Sequence, residues 1–179
     1  MILIVDLNRE GSLATSEFVA PIASTIAGIE SVTVRHYSEV SSICDDVTHV
    51  ILSGTPLKET GYLDSIDSFN WIGDCEAPVL GICAGMQVIC LVHGSKLVEC
   101  QEIGMTEVEV TGDNRLCEGR FKAYELHNLS VDVGGDFTVL GSSRDCIQLV
   151  KHADRELYGV LFHPEVRNRD IIRRFIKLK

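Results

Sequence analysis

The sequence predicts a three-layer α/β fold: a mostly parallel central sheet with helices on both faces and a small antiparallel extension. From Ile2 to His93, short apolar, β-branched runs alternate with segments whose apolar residues recur at helical spacing. That is the pattern of a parallel sheet covered on both sides. After Gly94 the rhythm changes to short strand-like runs with few helices between them, which reads as an antiparallel extension returning to the main sheet. A third observation is the run Gly81-Ile82-Cys83-Ala84-Gly85, set between an apolar strand and an apolar helix. It puts a cysteine on a strand-to-helix turn of the kind that exposes a nucleophile.

The elements follow in order. Residues 2–5 form a first strand, and residues 6–12 a polar loop at its C-terminal end. Phe18, Val19, Ile22, Ala23 and Ile26 mark a helix over about 15–27. Residues 31–35 alternate as a second strand, and 47–53 form a third that ends at the breakers Gly54-Thr55-Pro56. A helix is expected over 66–72, a fourth strand over 78–82 and a helix over 84–93. Strand candidates then fall at 96–100, 106–110, 137–142, 147–151 and 157–162, with a closing amphipathic helix over 170–178. Parallel sheets place their sites beyond the C-terminal strand ends, so the site-side loops are 6–12, 53–58 and the turn at Cys83. One domain spanning 1–179 is expected from the length.

A net charge of -10 argues against a nucleic-acid surface, because phosphate backbones reward Lys and Arg. The basic residues Arg167, Arg169, Arg173, Arg174, Lys177 and Lys179 gather near the C-terminus and read as a solvated helix face. No apolar run nears the roughly 18 residues that cross a membrane, and the opening Met-Ile-Leu-Ile-Val-Asp lacks a basic targeting region. A soluble, cytoplasmic protein is expected. The seven cysteines are odd in number and show no C-x-x-C pair, so all but Cys83 read as structural, mostly buried thiols. No His/Cys spacing suggests a metal, and no cofactor motif is present.

A second run, Phe162-His163-Pro164-Glu165, supplies what a thiol nucleophile needs. His163 can take the sulfur proton and later give one to a leaving nitrogen, while Glu165 accepts the other imidazole N–H and sets its tautomer. The helix that follows Cys83 favours its thiolate. Acyl transfer also needs an oxyanion hole, for which the N–H groups of Ala84 and Thr55 are the candidates.

Gly81-Ile82-Cys83-Ala84-Gly85-Met86-Gln87 and Gly159-Val160-Leu161-Phe162-His163-Pro164-Glu165 resemble the class I glutamine amidotransferase family, and most of all its GMP synthase glutaminase branch. The first strand ending in Asp6, the loop Ile51 to Pro56 and the last helix match as well, so the resemblance covers almost the whole chain. It implies hydrolysis of the glutamine side-chain amide through a thioester on Cys83, with Gln87, Gly54 and His127 helping to bind substrate. It implies a partner too: a separate PPase-type synthetase subunit of GMP synthase, which would use ATP and Mg to aminate xanthosine monophosphate. These 179 residues hold no Walker A run for that work.

The chain departs from the branch at four places. Thr55 replaces the second Gly of a Gly-Gly-Pro loop, which would be costly if the loop had to pass through positive φ. Leu161 stands where Gln is usual, and residues 8–11 lack the usual Gly-Gln-rich loop. Tyr124 to Leu129 matches the branch's Ser-His-Gly-Asp segment only at His127, which otherwise reads as a hydrogen-bonding residue of a surface loop. Two alternatives therefore stand beside the leading reading. One is an amidotransferase subunit or freestanding glutamine hydrolase with another acceptor. The other is a degenerate regulatory subunit.

Overall fold

The computed structural model describes all residues, 1–179. One sheet of nine strands runs through it in the order β2-β1-β3-β4-β9-β8-β7-β5-β6. Strands β1 (Ile2–Asp6), β2 (Val32–His36), β3 (His49–Leu52), β4 (Val79–Ile82) and β9 (Leu157–Val160) are parallel. Strands β5 (Lys96–Val110), β6 (Gly119–Asp132), β7 (Phe137–Ser142) and β8 (Ile147–His152) pair antiparallel and join the parallel part through β9. Two apolar clusters lie on opposite faces of the sheet. Helix α3 (Ala84–Val92) contributes Met86, Val88 and Ile89 to one. Helices α1 (Ala20–Ile26) and α4 (Asp170–Phe175) contribute Ile22, Ile26, Ile171, Ile172 and Phe175 to the other. The expected three-layer architecture is thus present.

Two expected helices take other forms. The stretch over 15–27 opens as a π-helical turn, Thr15–Val19, before α1. Pro21 is the reason: it has no N–H to donate, and its ring would strike the carbonyl four residues back. The wider turn, closed by Ala20 N–H on the Thr15 carbonyl, avoids both problems. Ile66–Asp74, beyond the short helix α2 (Gly61–Asp64), is a 3-10 helix. Its apolar residues Ile66, Phe69 and Ile72 recur every third position, which suits three residues per turn.

The extension differs more. The two strands expected at 96–100 and 106–110 are one long strand, β5, bulged between Glu99 and Glu102. Its partner β6 was not expected. Cys100 and Cys146 are disulfide-bonded with Cα atoms 6.2 Å apart, which corrects their reading as separate thiols. The bulge in β5 brings together two cysteines that sequence separation hides. The other cysteines stay free, and burial pushes the Cys90 and Cys117 thiols up to about 12 and about 11.

Candidate active site

The turn after β4 holds Cys83 at φ 49 and ψ -104, an unusual backbone state for a side-chain-bearing residue. Such strain persists only where packing over-determines it, and three glycines do that here. A Cβ on Gly81 would lie 2.4 Å from the Gly85 carbonyl, and one on Gly85 would lie 2.6 Å from the Leu52 carbonyl. One on Gly159 would lie 2.6 Å from Met86 Cγ. Together they let α3 start directly on top of β3, β4 and β9. The Cys83 thiol donates to the Leu126 carbonyl at 3.7 Å.

His163 and Glu165 follow β9, the next strand in the sheet. His163 Nδ1 and Glu165 Oε1 are 2.7 Å apart, and both residues are fully buried. Arg169 Nε donates to the Glu165 carbonyl at 2.9 Å, so Arg169 does more than coat the C-terminal helix with charge. Phe18 packs edge-on against the imidazole at 5.5 Å. His163 Nε2 has no hydrogen-bond partner in the chain. Burial alone would lower the imidazole pKa, but the Glu165 carboxylate and the Cys83 sulfur hold it well above the ordinary histidine range.

The loop after β3 is braced from β1. Asp6 accepts both N–H groups of Asn8, from the backbone at 2.9 Å and from the side chain at 2.7 Å, and also the Thr15 hydroxyl at 2.7 Å. Asn8 Nδ2 then donates to the Gly54 carbonyl at 3.3 Å. No peptide is cis, so the Thr55 N–H points opposite to that carbonyl. Thr55 has no positive φ, so the loop carries none of the strain that a threonine would suffer in that region. Its hydroxyl donates to the Glu59 carbonyl at 3.1 Å, which latches the loop. Neither the Thr55 nor the Ala84 N–H has an acceptor within the chain.

A cavity of about 220 Å³ opens over Cys83, lined by Thr55, Leu57, Tyr62, Ala84, Gln87 and the strand Leu126 to Leu129. A larger cavity, about 580 Å³, lies between residues 41–48 and 71–77. It sits at the opposite end of the parallel strands, by the N-terminal ends of β3 and β4, where parallel sheets seldom bind ligands.

Of the three expected substrate contacts, Gln87 and His127 are among the residues lining the cavity. Gly54 does not line the cavity. A Cβ there would be 2.6 Å from His163 Cε1, so its smallness makes room for the imidazole. Gln87 lines the cavity, but its carbonyl takes the Tyr62 hydroxyl and its amide donates to the Leu129 carbonyl at 2.9 Å. It ties α3 to the two cavity walls. His127 is no surface-loop residue: it is buried in β6, with Nδ1 2.9 Å from the Cys100 carbonyl and Nε2 facing Glu125 and Glu102. Burial raises the Glu125 carboxyl above its ordinary range, and His127 only partly offsets this.

Tyr62, Leu126 and Asn8 carry no mark of the site in the sequence pattern first read. Tyr62 and Leu126 act through tertiary contacts that leave no local pattern, whereas the Asp6-x-Asn8 pair after a first strand is a readable turn signal.

With this geometry in place, the family follows from comparison. The glutamine amidotransferase class-I model matches residues 16–178. This chain belongs to the class-I glutamine amidotransferase family. Among its relatives, the glutamine-hydrolysing GMP synthase subunit of Pyrococcus abyssi is 33% identical, over 84% of this chain and 86% of that protein. Its counterpart in Thermoplasma acidophilum is 35% identical over 76% of this chain and 74% of that protein. The crystal structure of a candidate GMP synthase subunit from Thermoplasma acidophilum superposes with a TM-score of 0.82. It is 29% identical and covers 98% of this chain and 92% of that one. The fold of this family member is therefore that of the class-I amidotransferases.

Proposed function

We propose that this chain is the glutaminase subunit of a two-subunit GMP synthase. It would hydrolyse the side-chain amide of glutamine and pass ammonia to a separate synthetase subunit for amination of xanthosine monophosphate. The observation that carries the chemistry is the juxtaposition of strained Cys83 with the buried His163–Glu165 pair below a small cavity.

The steps follow from these groups. The Cys83 proton passes to His163 Nε2, and the sulfur attacks the amide carbon. The oxyanion is met by the N–H groups of Ala84 and Thr55, which have no acceptor within the chain. His163 returns the proton to the amide nitrogen, the C–N bond breaks, and ammonia leaves a thioester. Water, deprotonated by His163, then cleaves the thioester to give glutamate and restore the thiol. Glu165 keeps the imidazole oriented and stabilises its charged form throughout. Gln87, Gly54 and His127 serve by shaping the site, through the cavity wall, the imidazole seat and β6.

Residues 1–179 would act as one amidotransferase domain in the cytoplasm. No helix is long and apolar enough to cross a membrane. The identity of the acceptor is supported by relatives that are named as glutamine-hydrolysing subunits of GMP synthase, and by the match to only 33% of a longer GMP synthase from Borreliella burgdorferi. ATP and Mg would be the partner's. Leu129, at the position of the branch's aspartate, favours keeping a different acceptor as the second reading.

The test is an assay of the full chain mixed with a GMP synthase synthetase subunit, ATP, Mg and glutamine, with and without xanthosine monophosphate. GMP formation, with glutamine hydrolysis stimulated by the partner, is expected. Hydrolysis that ignores both partner and nucleotide would assign another acceptor or a freestanding hydrolase. No hydrolysis in any mixture would point to a regulatory subunit.

A further inference from the structure

The strand that walls the cavity turns a second chemical surface toward β5 and β8. His127 Nδ1 faces the Cys100 carbonyl at 2.9 Å. A carbonyl only accepts, so Nδ1 carries a proton and Nε2 is the ring atom left to face the carboxylates. Nε2 faces two carboxylate oxygens, Glu125 Oε2 at 3.2 Å and Glu102 Oε2 at 3.5 Å. His127 Nε2 and both Glu125 oxygens lack a hydrogen-bond partner, although His127 is 2% and Glu125 0% exposed. Buried polar atoms without partners are costly unless a proton or a metal cation lies between them. The Cys146 sulfur enters the same space: the ligand atoms of Glu102, His127 and Cys146 all lie within 4.8 Å of one another. Tetrahedral zinc needs ligand separations of roughly 3–4 Å, within reach of small side-chain adjustments.

We infer that Glu102, His127 and Cys146 form a site for a zinc-class divalent cation, with Glu125 beside the fourth position, when the Cys100–Cys146 disulfide is reduced. The surroundings match how metal-binding histidines are usually held, with the other ring N–H on a backbone carbonyl. Gln148 Nε2 orients the Glu102 carboxylate at 2.6 Å. The two states exclude each other. A dithiol reductant supplies two electrons and two protons to split the S–S bond and becomes a disulfide itself. The Cys146 thiol then loses its proton as it binds the metal. Because Leu126, His127 and Leu129 also line the cavity, the cation would stiffen the wall opposite Cys83.

The experiment is a titration of the phosphine-reduced full-length protein with cobalt, then zinc. It reads the thiolate-to-cobalt charge-transfer band and the zinc affinity by competition. One equivalent is expected in the reduced wild type, in Cys83→Ala and in Cys100→Ser, the last without any reductant. Cys146→Ser should lose the band. Gln148→Leu should keep it with affinity lowered about 10–100-fold, as outer-shell changes do. The oxidised wild type should bind no equivalent at this site. Absence of uptake by reduced protein would overturn the inference and leave a shared proton as the cation between Glu125 and His127. Equal uptake by oxidised protein, unchanged uptake by Cys146→Ser, or loss of the band in Cys83→Ala would also overturn it. Should Cys146→Ser fail to fold, Cys100→Ser and Gln148→Leu decide the matter alone.

Discussion

Cys83 is where stability and function pull apart. Its φ of 49 with ψ of -104 is a conformation that glycine adopts more readily. Strain of this kind costs about 1–3 kcal/mol. Cys83→Gly should therefore be about 1 kcal/mol more stable than Cys83→Ala in urea unfolding, and both should release no ammonia. The imidazole makes a second case. Its pKa is raised in the folded protein, so the stabilising contribution of the His163–Glu165 pair is complete below the unfolded value of about 6.5. It is lost as pH rises through the folded value. Wild type should exceed Glu165→Gln by about 3 kcal/mol at pH 6, and the gap should narrow on going to alkaline pH. Activity of Glu165→Gln should fall about 10²–10⁴-fold. Asn8→Ala acts at one remove, by freeing the Gly54 carbonyl. It should lower kcat by less than the about 10²–10³-fold that removal of an oxyanion donor costs, and folding stability by about 1–3 kcal/mol, since Asn8 is fully buried and the Gly54 carbonyl loses its donor.

Among the elements, the strand-to-helix unit β4–α3 is the most constrained. Gly81→Ala would drive a Cβ to 2.4 Å from the Gly85 backbone, where no flexible side chain can yield. We expect a loss of about 3 kcal/mol or more together with loss of activity, measured by thermal unfolding and ammonia release. This unit could be read from the residues alone, because strand pattern, glycines and helix pattern agree there. The strand β6 could not. Its inward positions include Glu125 and His127, while Leu126 faces the cavity, so the polar residues occupy the side that burial patterning reserves for apolar ones. The helix over 15–27 was visible by spacing, but the π turn depended on how Pro21 fits the preceding carbonyls. The disulfide between β5 and the start of β8 depended on a bulge that no local signal marks.

In the molecule as a whole, the parallel half supplies the reacting groups and the antiparallel half closes the cavity over them. Cys83, Ala84 and Thr55 come from loops at the C-terminal ends of β3 and β4, and His163 and Glu165 from the end of β9. Leu126 to Leu129 come from β6, at the far edge of the sheet order. The topology of the first half followed from the alternation of strands and helices, and its site from the rule for parallel sheet ends. The second half is a long hairpin folded back across that site, a placement set by tertiary packing. The proposed chemistry depends on Cys83 as the residue that takes the glutamine acyl group. Its most direct measurement is reaction with a glutamine-like diazoketone, followed by intact mass and peptide mapping while ammonia release is monitored. One adduct, confined to Cys83 and rising in step with lost ammonia release, is the predicted result. An adduct elsewhere, or undiminished ammonia release from protein fully modified at Cys83, would contradict it.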